Sequence, residues 1–239
     1  MESIKGFIIH SIYEEERAQH VAELLKSMPS IERIEAIFPS NQKVPFLDKI
    51  IACSVERTGK ALTPGEIGVL LTNRMIWRKI IKSPVNDNFP FLILESDSLI
   101  NKPLLLQNEF YQLASKYDLF YFGGWLGNIQ LLRSTKKKWT ENSLIGTPLI
   151  NTLCSGYGYS VNKKAARMLL KKTNKIAYAF DEVRRYLTQE ELLLGAVLPE
   201  WISQKPGISS IGKRPTNWLG LKTWLAILYV RNYIICFFK

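Results

Sequence analysis

The sequence predicts an α/β fold: a single domain with a mostly parallel central sheet flanked by helices. Three observations carry this. The chain opens strand–helix–strand, over residues 4–11, 14–27 and 34–38, and such a unit closes through a right-handed crossover into a parallel pair. The run Phe91-Leu92-Ile93-Leu94 has the unbroken hydrophobicity of a strand buried on both faces. A chain of 239 residues, 46% of them hydrophobic, can bury a sizeable core and is too apolar to be disordered.

The elements follow in order. Residues 4–11 are rich in Ile and Phe. The helix over 14–27 carries Ala18, Val21, Ala22, Leu24 and Leu25 as its apolar stripe. Thr63-Pro64-Gly65-Glu66 marks a helix start: Thr63 caps, Pro64 suits the first helical position and Glu66 completes a capping box. Ile67, Leu70, Leu71, Trp77 and Ile81 supply its buried face. A helix is predicted over 104–116 and a strand over 119–122, closing on Gly123-Gly124. Residues 156–161 read as a strand broken by glycines, in which Tyr157 and Tyr159 share a face. Asn162 caps a helix over 163–171. Asp181-Glu182 opens a last helix reaching about residue 194, where carboxylates in the first turn complement the dipole.

The chemistry points to the strand at 91–94. It runs straight into Glu95 and Asp97, two carboxylates on one face if the extended chain continues. Ligands of open α/β sheets bind past the carboxyl ends of strands. Two carboxylates there can hold a hard divalent cation against a diphosphate; the alternative is a solvated turn.

Charge is divided unevenly. Residues 1–100 carry 12 Lys/Arg against 13 Asp/Glu, and residues 101–239 carry 20 against 8. The basic part suits an anionic partner such as a phosphorylated substrate or lipid headgroups. No zinc-finger, RNP or helix-turn-helix signature accompanies it, so nucleic acid is not expected as a partner. Cys53, Cys154 and Cys236 are scattered, and His10 and His20 do not sit near them, so a disulfide framework or zinc site is not expected. The opening Met1-Glu2-Ser3-Ile4-Lys5 lacks a secretory signature, so a cytoplasmic location is expected.

Residues 218–239 form a separate C-terminal segment beyond a domain over 1–217. Nearly every residue over 218–238 is apolar or aromatic, but Lys222 and Arg231 fall about 180° apart on a helix. Twenty-one residues would span about 30 Å, and Arg231 within a membrane core costs about 2.5–3.5 kcal/mol. A shallow membrane-associating segment is favoured over a core helix or a transmembrane span. Lys205, Lys213 and Arg214 before it suit an anionic inner leaflet.

Several segments together resemble glycosyltransferase family 25, the lipooligosaccharide and lipopolysaccharide sugar transferases related to the collagen galactosyltransferases. Leu62-Thr63-Pro64-Gly65-Glu66-Ile67-Gly68, with Thr72-Asn73 and Trp77, resembles the family's L-x-x-G-E-I-G-C-x-x-S-H-x-x-x-W segment. Leu94-Glu95-Ser96-Asp97-Ser98 resembles its x-E-D-D metal motif. Ser155-Gly156-Tyr157-Gly158-Tyr159-Ser160-Val161 resembles G-T-x-x-Y-x-I-S. Ile8-Ile9-His10-Ser11 with Arg17 resembles V-I-N-L…R, and Ala36 and Asp181 match single family positions.

The resemblance covers roughly residues 4–210. It implies a GT-A-like fold, a UDP-sugar donor, often UDP-galactose, a Mn²⁺ or Mg²⁺ ion and inversion at the anomeric carbon. The acceptor is then a lipid-linked or oligosaccharide glycan at the inner-leaflet membrane surface. By position, Asp97 and Glu95 are the metal ligands. Ile9, His10, Arg17, Ala36, Glu66, Glu95, Gly156 and Tyr157 are the donor- and cofactor-binding residues. Asp181 is the catalytic base with Glu182 as second candidate, and Gly123, Gly124 and Trp125 are a possible sugar platform. Ser96 replaces the middle acid and Thr72-Asn73 the Ser-His pair. These departures keep open a catalytically silent, membrane-attached scaffold on the same fold. A nucleotidyl- or phosphotransferase lacks its Gly-rich Lys loop.

Overall fold

The computed structural model describes residues 3–124, 128–205 and 218–238, with side chains of the last helix described from Ala226 onward. Along the described residues run β1 (Gly6–His10), α1 (Glu15–Ser27), β2 (Ile31–Glu35), α2 (Leu47–Thr58), α3 (Pro64–Lys82), β3 (Phe91–Glu95) and β4 (Ser98–Ile100). There follow α4 (Pro103–Ala114), β5 (Leu119–Tyr121), β6 (Lys137–Thr140), β7 (Ser143–Gly146), β8 (Gly158–Val161), α5 (Lys163–Lys172), β9 (Leu194–Leu198), β10 (Ile202–Gln204) and α6 (Trp218–Phe238).

Eight strands form one sheet in the order β2-β1-β3-β8-β5-β9-β7-β6. β1 is parallel to β2 and β3, and β9 to β5. β8 runs antiparallel between β3 and β5, and β7 between β9 and β6. Six strands therefore share one direction, and β8 and β7 oppose them. The domain is α/β, with helices on both faces of this sheet.

Strand alternation distributes the core. Ile8, Leu92 and Leu94 pack with Val21 and Leu24 of α1 and with Leu106 and Phe110 of α4. Ile9 and Ile93 face the other way, onto Leu70, Trp77 and Ile80 of α3 and Ala166 and Leu169 of α5. α3 starts where expected: Thr63 accepts from the Glu66 amide at 3.2 Å while Glu66 accepts from the Thr63 amide at 2.8 Å. Asn162 caps α5 by accepting from the Ala165 amide at 2.9 Å.

From β1 the chain moves outward to β2 through α1 on one face. From β2 it returns through α3 to β3 on the other. The connections thus part above the carboxyl ends of β1 and β3, the switch point at which such sheets leave a crevice.

Three expectations change. β2 is Ile31–Glu35 rather than 34–38, so residues 36–39 leave the sheet and become a wall of the crevice. No helix spans 181–194. A single 3-10 turn, Val183–Arg185, forms there, and Leu194–Leu198 is instead a strand held on both sides by β5 and β7. Tyr157 and Tyr159 do not share a face, because Tyr157 precedes β8; they enter opposite cores. Over its described side chains α6 is not a core helix. Cys236 packs on Leu132 and Leu149, whereas Ile227, Val230, Tyr233 and Ile234 are exposed. Among the described residues no helix is long and apolar enough to cross a membrane.

Candidate active site

The crevice is narrow, with about 80 Å³ of cavity below an open mouth. Ile9 at the end of β1 and Ala36 past the end of β2 supply apolar lining; Arg17, Glu95 and Asp97 supply charge.

The charged residues form one network. The Arg17 guanidinium lies 3.1 Å from Glu14 Oε1 and 3.3 Å from Asp97 Oδ2, and donates to Ser96 Oγ at 2.8 Å. Ser96 in turn donates to Glu14, 3.2 Å from Oε2. The Ser11 amide donates to the same Glu14 oxygen at 3.1 Å. Ser96 therefore does not act as the missing acid of a metal motif. It is a neutral bridge that accepts from an arginine and donates to a carboxylate.

Asp97 is held from a distant part of the chain. β10 pairs with β4, which brings Gln204 Nε2 to Asp97 Oδ2 at 3.0 Å and the Lys205 amide to the Asp97 carbonyl at 2.7 Å. Its other carboxylate oxygen, Oδ1, is buried with no hydrogen-bond partner among the described residues.

Glu95 ends β3 with its amide donating to Ser98 Oγ at 2.9 Å. The residue is partly open to the crevice, but its carboxyl end is enclosed. Burial pushes its pKa up to about 8, helped by the charges of Asp97 and Asp181 and opposed by Arg17. Gly156 makes this approach possible. A Cβ there would stand 2.5 Å from both Glu95 Oε1 and the Phe180 ring. Asp181, the carboxylate expected to act as base, follows Phe180 and lies close enough for its charge to act on Glu95.

Ile9, Arg17, Ala36, Glu95 and Asp97 thus converge, with Gly156 behind them. Other expected residues do not line the crevice. His10 is buried with Nε2 3.1 Å from the Glu14 carbonyl. A carbonyl only accepts, so Nε2 donates, and Nδ1 has no partner among the described residues. Glu66 serves in the capping box, and it is the neighbouring Gly65 that reaches the lining. The Tyr157 hydroxyl donates to Glu200 at 3.1 Å, while its carbonyl accepts from Ser98 Oγ. Asp181 and Glu182 lie beside the 3-10 turn, outside the crevice lining. Gly123 packs against the Ile202 carbonyl of β10, and Trp125, Lys213 and Arg214 fall outside the described residues.

The residues at the resembled Ser-His positions make hydrogen bonds within the fold, and Thr72 also lines the crevice. Thr72 Oγ1 donates to the Gly68 carbonyl and accepts from the Ile37 amide, fixing the crevice wall at 2.8 and 2.9 Å. Asn73 accepts from the Tyr159 hydroxyl at 2.6 Å in the core. Two site residues had no assigned role in the sequence. Glu14 was visible only as an acid three residues before Arg17, and Gln204 had no local signal.

Among the described residues no group of three or more His, Cys, Asp or Glu forms a ready metal site. The pair Glu95 and Asp97, with one bare buried oxygen, still fits a Mn²⁺ or Mg²⁺ ion that takes its remaining ligands from a bound diphosphate and water.

The family model described as glycosyltransferase family 25 (LPS biosynthesis protein) matches residues 4–184. A comparison with curated proteins returned no significant match.

Proposed function

The chain belongs to glycosyltransferase family 25, and from this premise we propose that it transfers a hexose, galactose by family precedent, from a UDP-sugar to a saccharide acceptor, with inversion, on a GT-A-like fold. One observation carries the proposal. At the switch point, Asp97 and Glu95 line a crevice beside an arginine, and one Asp97 carboxylate oxygen has no partner among the described residues.

The crevice takes the donor. Ile9 and Ala36 offer apolar surface to the base and ribose, and Arg17, already bridging α1 and the β3 turn, orients the diphosphate end. Asp97, with Glu95, would hold a Mn²⁺ or Mg²⁺ ion, which when bound supplies positive charge for the leaving diphosphate. The acceptor hydroxyl attacks the anomeric carbon from the opposite side. Its oxygen forms the new glycosidic bond as the bond to the phosphate oxygen breaks. The hydroxyl proton passes to the Asp181 carboxylate, and the electron pair leaves with UDP. Enclosure of Glu95 keeps water from the reacting face.

The basic second part of the chain and the exposed apolar side of α6 suit a peripheral position on an anionic inner leaflet, beside a lipid-linked acceptor.

Thermal melting with UDP, UDP-galactose and UDP-glucose, each with and without Mn²⁺, tests the proposal on the wild type and Asp97→Asn. A ligand that binds only the folded state raises the melting temperature. A Mn²⁺-dependent rise with UDP or one UDP-sugar, lost in the variant, is expected. No rise with any nucleotide would leave the silent scaffold as the better account.

A further inference from the structure

A second cavity, about 860 Å³ with its mouth, lies between α6 and the segments flanking it at 128–130 and 151–154. Its lining differs in kind from that of the crevice. Its lining includes the amide residues Asn128, Gln130, Asn151 and Asn232 together with Arg184. Asn232 is only 6% exposed on the inner side of α6. Gln130 Nε2 donates to the Tyr229 carbonyl at 3.3 Å, while its buried Oε1 has no partner among the described residues. Amides both donate and accept, which matches the adjacent hydroxyls of a sugar ring.

The cavity also meets the catalytic region from behind. Arg184 belongs to the 3-10 turn that begins just after Asp181-Glu182. Cys154, on the cavity wall, lies close enough to Asp181, Glu182 and Arg184 to feel their charges. Asp181 is thus near both Glu95 of the crevice and Cys154 of this cavity.

We infer that this cavity is the acceptor subsite, binding sugar residues of the acceptor glycan through its amides, and that α6, beyond the family match, forms its outer wall. The inference rests on the transferase reading above.

Isothermal titration of the full chain decides it. The probe is the core oligosaccharide released from lipopolysaccharide by mild acid, titrated with and without UDP and Mn²⁺ into wild type, Asn232→Leu and Ala226→Phe. Ala226 lines the cavity from an exposed position on α6, so a phenyl ring there fills the mouth without entering the core. UDP is titrated into the same three proteins. Unchanged UDP affinity with at least tenfold weaker oligosaccharide binding in both variants is expected. Equal oligosaccharide affinity in wild type and Ala226→Phe, or none in the wild type with UDP present, overturns the subsite. Failure of the wild type to bind UDP overturns the donor reading instead, and the oligosaccharide titrations still decide the cavity.

Discussion

The Arg17 guanidinium stands 3.3 Å from the Asp97 carboxylate, and this pair ties α1 to the turn after β3. Both side chains are largely withdrawn from water, at 14% and 10% exposure. Arg17→Ala would leave Glu14, Glu95 and Asp97 crowded together without their cation. Removing one partner from a buried pair costs about 3–5 kcal/mol, so urea denaturation should show a loss of that order together with lost UDP binding. Arg17→Lys keeps the charge but not the fork that reaches Ser96 and Asp97 together, and should recover only part of both. Wild-type stability in Arg17→Ala would show that the network carries no such strain.

Gly156 sets the position of Glu95. A Cβ at 156 would meet Glu95 Oε1 and Phe180 at 2.5 Å each. Both are side-chain atoms that can shift, so Gly156→Ala should fold, at a cost of about 1–3 kcal/mol. Transfer should suffer more than stability, since the displaced carboxyl faces the donor. Kinetics and melting on the same preparation separate the two; equal transfer by the variant would remove Glu95's position from the account.

Much of this arrangement was legible in the sequence, because local signals and tertiary structure agree. The 63–66 capping box, the Asn162 cap and the four-residue apolar strand each act within a few residues, and each forms. The carboxylates after β3 were legible for the same reason. The misreadings share another cause. Residues 181–194 have helix-compatible composition, but Leu194–Leu198 is the strand that joins β5 to β7, and sheet pairing overrides local propensity. α2 begins after Phe46 at φ 60° with no side-chain cap, so nothing local announces it. Gln204 reaches Asp97 only because β10 pairs with β4. Sequence spacing contains no trace of that contact.

Asp181 tests the catalytic assignment. Asp181→Asn keeps the size of the side chain and removes its basicity. General-base catalysis contributes about 10²–10⁴-fold, so kcat for transfer should fall within that range with UDP affinity unchanged. Glu182→Gln, beside it, should fall far less. Near-normal transfer by Asp181→Asn would remove it as the base and direct attention to Glu95.

Glu95 gives the chain a distinctive pH dependence. Its pKa rises from 4.5 to about 8 because burial and the neighbouring carboxylates disfavour its charge. A carboxyl with a raised folded-state pKa holds its proton more tightly folded than unfolded. Its contribution to stability is therefore complete below the unfolded value and is lost as pH climbs through about 8. Without metal, the melting temperature of the wild type should fall across that window, and Glu95→Gln, which cannot ionise, should flatten the fall. Mn²⁺ with UDP should reverse the trend, because a cation favours the ionised carboxylate and its binding then strengthens with pH. Parallel melting curves for wild type and Glu95→Gln from about pH 5 to about pH 8 would place the titration on another group.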